Sequence, residues 1–327
     1  MRVVEAKRFG GPEVLAVTTA PDPVAGPGQA VIGVAAADVL FFDAFIRYGL
    51  ASDFVPLRPP YVPGSGVAGV VTAIGDGVDP RWSGQEVVAH TGEHGGGGGY
   101  AEQALVGADA LVPVPPGFGL PEAAALLHDG ATALGLAEST GIQPLDRVLV
   151  LGAGGGLGLL LVQLARTAGA HVVAAARGAA KLDLARRLGA DAVVDYSRPG
   201  WPEDALTASA GARPNVVFDG VGGELGQAAF TLMADDGRFS AHGSPSGGFA
   251  PIDRAAAERR GITVRGIEQV QFAPGRRQAL AGRALAAAAA GQIRPVIGQT
   301  FPIDRAAEAH RAIEARAALG KTLLLTG

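Results

Sequence analysis

The chain has 327 residues, more than one hydrophobic core of about 250–300 residues supports, so two domains are expected. With 18% charged residues and a formal net charge of -4, it carries no basic excess that would favour nucleic acid or an anionic membrane. Cysteine is absent, which removes disulfides, thiolate zinc sites and cysteine nucleophiles together.

The opening MRVVEAKRFG lacks the apolar segment of a secretory signal, and a cytoplasmic location is expected. From Met1 to about Gly119, short apolar runs are broken by Pro and Gly: VVEAKR, EVLAVTTA, AVIGVAAA, VAGVVTAIG, EVVAH, YAEQALV and LVPVP. They predict an irregular, mostly antiparallel, barrel-like domain. His90 and His94 sit beside the five-glycine run Gly95–Gly99, which reads as a mobile loop. Without a third ligand they read as loop histidines rather than a metal site, and no metal is expected.

Pro121 opens a helix to about Glu138, after which strands and helices alternate strictly. That alternation is the pattern of a parallel doubly wound sheet. RVLVLG, HVVAAA, AVVDY, NVVFDG, RFSAHG and ITVRG supply the six strands of a full dinucleotide-binding fold. The first is the most informative: VLVL runs into Gly152-Ala-Gly-Gly155-Gly156-Leu157-Gly158 and out into LLLVQLARTAGA. Glycines let a backbone approach a pyrophosphate, and a helix N-terminus offers unpaired N–H groups and a positive dipole. The spacing is G-x-x-G-x-x-G rather than G-x-G-x-x-G, so the flanking strand and helix carry the assignment. Val148 to Ala165 is also about long enough to span a bilayer. Its central glycines and its flanks favour the nucleotide reading. Beyond Gly266 come an alanine-rich helix (Arg276 to Ala290), a strand near Gln299 to Pro302, another helix and a last strand, KTLLLT, expected to complete the first domain.

NAD-binding folds place an acid at the end of the second strand, about 20 residues past the glycines; NADP-binding folds place cations there. Here that position reads Ala176-Arg177, with Lys181 following and no acid until Asp183.

Several segments, in this order along the chain, resemble the medium-chain dehydrogenase/reductase superfamily, in its zinc-independent quinone oxidoreductase (ζ-crystallin-like) branch. They are FGGPEVL, FFDAFIRYG from Phe41, PGSGVAGVV from Pro63, the glycine turn, LGADAVVDY from Leu188, FDGVGG from Phe218 and GKTL from Gly320. The resemblance implies an α/β chain with a GroES-like, mostly β catalytic domain (1–122 and 267–327) and a Rossmann NADP(H)-binding domain (123–266). It adds Lys181, Tyr196 and Arg316 as 2′-phosphate contacts. Around the nicotinamide it nominates Thr132, the turn at Gly220 and Val221, the strand end at His242 and Gly243, and Lys321. Two charge-assisted bonds of about 1.5–3 kcal/mol each would favour NADPH by about two to four orders of magnitude. Where zinc alcohol dehydrogenases of the superfamily carry a His and a Glu, this chain has Ser65 and Gly66.

Hydride comes from the cofactor, so the protein need only orient an electron-poor acceptor and stabilise charge developing on its oxygen. Quinones and conjugated enones are activated by their own delocalisation and suit a site without a metal. Leu40 and Phe45 stand where the branch has Asn and Tyr, so an apolar pocket is expected, with the final proton taken from water. Asp43 reads as holding the loop or a ribose hydroxyl in preference to acting as an acid; His128 and His242 are alternative proton sources by chemistry alone. The leading expectation is an NADPH-dependent quinone reductase working as a soluble homodimer on a small electron-poor acceptor. The alternatives are an enoyl or alkenal reductase, and an NADPH-binding protein with an RNA-binding or structural role. No basic stripe supports the RNA role.

Overall fold

A computed structural model describes residues 1–51, 55–92 and 98–327; His94 and the first three glycines of the run after it lie outside them. The chain opens with β1 (Arg2–Ala6), β2 (Leu15–Thr19), β3 (Gln29–Val39), α1 (Phe41–Arg47), β4 (Gly66–Ile74), β5 (Glu86–His90), β6 (Gln103–Gly107), β7 (Val112–Pro113) and α2 (Leu120–Thr140). Strict alternation follows: β8 (Arg147–Leu151), α3 (Gly156–Thr167), β9 (His171–Ala176), α4 (Ala179–Arg187), β10 (Ala192–Asp195), α5 (Trp201–Ala208), β11 (Val216–Asp219), α6 (Gly223–Leu232), β12 (Arg238–Ala241), α7 (Arg254–Arg259) and β13 (Thr263–Arg265). The last elements are α8 (Pro274–Ala289), β14 (Ile297–Pro302), α9 (Ala306–Glu314) and β15 (Lys321–Leu325). The chain divides into two compact units, one of residues 1–128 with 274–327 and one of residues 129–273, and the first division falls inside the continuous helix α2.

In the first unit, β3 organises a sheet of order β14-β15-β3-β4-β5-β7, with β6 also on β3. One edge of β3 is shared: Gln29–Gly33 pairs with β6 and Ala36–Val39 with β15, while β4 runs along the other edge. Most of β3 is buried, as its near-continuous run of Val, Ile and Ala requires. The returning tail therefore completes this sheet. Its pairings are antiparallel except β14 with β15, which run parallel on either side of α9. β1 and β2 form a separate antiparallel pair. The core gathers Val4, Ile32, Val67, Val87, Tyr100 and Leu324.

The second unit holds a parallel sheet of order β10-β9-β8-β11-β12-β13. Strand order reverses at β8, so a crevice opens at the carboxyl ends of β8 and β11, where such sheets take their ligands. The run from Val148 to Ala165 is strand, turn and helix, and among the described residues no helix is long and apolar enough to cross a membrane.

Candidate functional site

β8 ends at Leu151, and Gly152 turns the chain with φ +78°, a region that suits glycine. Gly155 is the extended N-cap of α3 and provides no side-chain cap, so the N–H groups of Gly156, Leu157 and Gly158 stand at the positive end of the helix. A Cβ on Gly158 would lie 2.4 Å from the Gly152 carbonyl oxygen and 2.9 Å from Ala153 Cα. Glycine there is what lets α3 begin directly against the turn. A Cβ on Gly154 would lie 2.5 Å from Lys181 Cδ, so the lysine stem, arriving on α4, covers the turn.

Arg177 is exposed one residue past β9, and the Tyr196 N–H, just past β10, donates to the Ala176 carbonyl at 3.3 Å. Arg177, Lys181 and Tyr196 thus gather at the adjoining ends of β9 and β10. Asp195, the acid at the end of β10, is engaged there. Its oxygens accept the Ser197 hydroxyl at 2.5 Å and the N–H groups of Ser197 and Gly178 at 3.0 and 3.2 Å, and these bonds hold its carboxyl below the usual range. At the same edge of the sheet, a Cβ on Gly243 would lie 2.3 Å from the Gly220 carbonyl, and one on Gly152 3.4 Å from Val221 Cγ1. The turns after β8, β11 and β12 are therefore packed backbone on backbone. His242 is buried, its Nδ1 3.0 Å from Ser240 Oγ, and burial lowers its pKa to about 4. Thr132 is half-buried on the second-unit part of α2. Arg316 and Lys321 belong to the first unit, where the Arg316 guanidinium carbon lies 5.9 Å from the centroid of the Phe41 ring.

In the first unit, α1 starts at a buried carboxylate. Asp43 accepts the Leu40 N–H at 2.8 Å, the Tyr100 hydroxyl at 3.1 Å and the Ser65 hydroxyl at 3.2 Å. Desolvation pushes its pKa up to about 6, with the nearby Asp38 charge adding to the rise. Tyr100 is joined to His310 Nε2 at 3.0 Å, and His310 Nδ1 to Arg47 at 3.0 Å. A guanidinium only donates, so Nδ1 accepts and Nε2–H donates to Tyr100. Arg47 is wholly buried and paired with Glu314 at 2.5 Å. Asp43 is the end point of this directed chain, with its oxygens already bonded, as its loop-holding reading requires. Leu40 is the N-cap of α1, and Phe41, Phe42, Phe45 and Tyr48 are exposed along the helix, giving a rim of aromatic rings. Sequence reasoning did not find Tyr100, Arg47, His310 or Glu314: Arg47 and Glu314 are 267 positions apart, and no local pattern links them.

A second cluster surrounds Asp38, fully buried on β3. Its Oδ2 is 2.7 Å from His128 Nδ1 and 3.3 Å from Lys321 Nζ. The pKa falls to about 2 because the attraction of His128 and Lys321, together with their hydrogen bonds, outweighs the desolvation that alone would raise it. His90, the end of the EVVAH run, is the last residue of β5 and so not a loop histidine, its ring 4.4 Å from that of His128 in a T-shaped contact. Burial, with the charges of His128 and Arg277, lowers its pKa to about 2. Gly66 makes room for this cluster: a Cβ there would lie 2.6 Å from Leu127 Cδ2, 2.8 Å from His128 Cε1 and 3.0 Å from Asp38 Oδ1.

Residues 26–116 match the alcohol dehydrogenase GroES-like domain family, and residues 156–281 the family described as zinc-binding dehydrogenase. The quinone oxidoreductase of Mus musculus is 31% identical over 99% of this chain and 98% of its own length. The spectinabilin polyketide synthase system protein NorB of Streptomyces orinoci is 32% identical over 96% of this chain, which spans only 14% of that protein. Among solved structures, the Escherichia coli quinone oxidoreductase complexed with NADPH superposes with a TM-score of 0.90 at 25% identity, covering 99% of this chain and all of that one. An NAD-dependent alcohol dehydrogenase also gives 0.90, at 32% identity over the whole of both chains. The chain belongs to the medium-chain dehydrogenase/reductase superfamily, in its zinc-independent quinone oxidoreductase branch, and is an oxidoreductase of that kind.

The residues present do not fit the zinc that one family description carries. Ser65 spends its hydroxyl on Asp43, Gly66 has no side chain, and cysteine is absent. Asp38 is already balanced by Lys321, and among the described residues no group of three His, Cys, Asp or Glu side chains converges on a metal position.

Proposed function

We propose that this chain reduces quinones with NADPH. The observation that carries the reading is the gathering of Arg177, Lys181 and Tyr196 beside the glycine turn, with Asp195 committed to backbone and Ser197. A 2′-phosphate at the ends of β9 and β10 would meet two cations and a hydroxyl, whereas a ribose 2′-OH would find no free carboxylate to take it. Gly152 to Gly158 and the first turn of α3 would hold the pyrophosphate, since the missing Cβ at Gly158 leaves the helix end against the turn. Gly220, Val221, His242, Gly243 and Thr132 would line the nicotinamide end. The cofactor supplies the hydride. The chain's own part is to orient an acceptor and exclude water, for which Leu40, Phe45 and the aromatic rim of α1 offer apolar surface. The working form in this reading is a homodimer joined through sheet edges, of which β10 and β13 are the pair in the parallel sheet.

A second reading, reduction of conjugated enones or enoyl thioesters, is favoured by the likeness to a polyketide synthase system protein. Both acceptors need the same hydride geometry. Absorbance at the dihydronicotinamide band, with NADPH or NADH against ortho- and para-quinones, 2-alkenals and enoyl thioesters, separates them. NADPH consumption with quinones is expected. Turnover confined to enones would move the chain to the second reading, and equal use of NADH would remove the assignment of the 2′-phosphate site.

A further inference from the structure

His128 is more exposed than Asp38 and Lys321, its partners in this cluster, and we infer that it is the acid that protonates the reduced acceptor, with Asp38 and Lys321 as the positioning residues that fix its tautomer. This rests on the reductase reading above. Asp38 is completely buried and ionised, while the His128 side chain is 20% exposed, so of the pair only the imidazole is open to a small molecule. A carboxylate only accepts, so the 2.7 Å contact places a hydrogen on His128 Nδ1 and leaves Nε2 as the nitrogen that exchanges protons. Among the described residues Nε2 has no hydrogen bond.

The surroundings suit a proton that comes and goes. Charges facing the imidazole are Asp38 from β3 and Lys321 from β15, which offset one another at 3.3 Å, and the Asp43 carboxyl of α1; the Asp38 carboxylate remains in direct contact to stabilise an imidazolium. His90 from β5 meets the ring edge-on. It is held neutral by burial and by Arg277 of α8, so it does not compete for the proton. Gly66 of β4 completes the wall, because any side chain there would collide with His128 Cε1 or Asp38 Oδ1. A cluster built only to fill space has little need of a buried ion pair, which apolar residues of similar volume often replace at no cost in stability.

The acceptor has gained a hydrogen and two electrons as hydride, which leaves one oxygen anionic. The Nε2–H bond of protonated His128 breaks, its electron pair stays on nitrogen, and an O–H bond forms on that oxygen. Solvent then returns a proton to Nε2. The water expected from the sequence as the direct proton source becomes the source that recharges His128.

Nitrogen-15 spectra of the imidazoles in the full chain test the tautomer without turnover. Neutral His128 should carry its hydrogen on Nδ1 and show Nε2 as the bare nitrogen, and Asp38→Asn should shift the tautomer balance toward Nε2–H. A neutral Nε2–H form overturns the inference. In steady-state kinetics with a quinone, kcat should fall as pH rises through one ionisation. His128→Gln should lower kcat about 10²-fold, the low end for a positioned general acid, and flatten that limb. NADPH affinity should be unchanged, and added imidazole should restore rate to His128→Ala. Asp38→Asn should lower kcat more than it raises KM. Wild-type kcat and pH dependence in His128→Gln would overturn the role. A wild-type protein that oxidises NADPH with none of the quinones or enones offered would instead defeat the reductase reading before any variant is compared.

Discussion

Lys181 packs its aliphatic stem over Gly154 while Arg177 lies exposed at the end of the neighbouring strand, so the two cations reach the same corner from different elements. If each makes a charge-assisted bond to a 2′-phosphate, Arg177→Ala and Lys181→Ala should each weaken NADPH binding about 10- to 100-fold. NADH binding should stay as it was, and fluorescence titration with both nucleotides reads the difference. The placing of these two cations beside the turn was legible in the sequence because its signal is local: a glycine turn, one strand, and the residues just past its end. The contact of Asp43 with the Leu40 N–H, three residues away, is legible in the same way. The other partners of Asp43 were not, because Tyr100, just before β6, and His310, on α9, are distant in the chain and carry no periodicity that marks them. His90 closes the EVVAH run that was read as a strand, and its pairing with Gly66 keeps it in β5; the glycines after it suggested the loop setting that does not apply to it.

The six strands of the parallel sheet were legible at the element scale because strands buried on both faces are continuous apolar runs bounded by turn residues. α1 was not read as a helix. Its aromatic residues also suit a strand, and only the Asp43 bond to the Leu40 N–H and the burial of Asp43, Ala44, Ile46 and Arg47 on one face reveal it. The parallel pairing of β14 with β15 was equally hidden, since alternation in a short strand does not state its direction. The junction of β8 and α3 gives the sharpest test of an element. Gly158→Ala would put a methyl 2.4 Å from the Gly152 carbonyl oxygen, which forces α3 away from the turn. Overpacking of this kind costs about 1–3 kcal/mol. The variant should therefore lose several degrees of Tm by calorimetry and bind NADPH at least about tenfold more weakly, since the helix end and the phosphate share that space.

For the molecule as a whole, three histidines are buried in the neutral form: His90 with a pKa of about 2, His242 of about 4 and His310 of about 3, against an ordinary value of 6.5. A folded pKa below the unfolded one means that the unfolded chain takes up protons first as pH falls, so this stability is present above 6.5 and drains away in acid. Asp43, raised to about 6, works in the opposite sense between there and 3.8. Asp219, also raised by burial, works the same way, and three groups against two leave a net uptake of between one and two protons on unfolding between about pH 6 and 4.5, a loss on the order of 2 kcal/mol per pH unit. Tm should fall steeply over that interval; a flat Tm from pH 6.5 to 4.5 would contradict the burial of these rings as neutral bases. The place of β15 between β14 and β3 bears on how the chain is made. Residues 129–273 contain every strand of their own sheet and can close as they leave the ribosome. The edge of β3 at Ala36–Val39 has no such option, because its partner Thr322–Leu325 is synthesised after the whole inserted unit. Throughout translation of that insert, an apolar strand edge stands open, which is the feature that chaperones capture and that aggregation exploits.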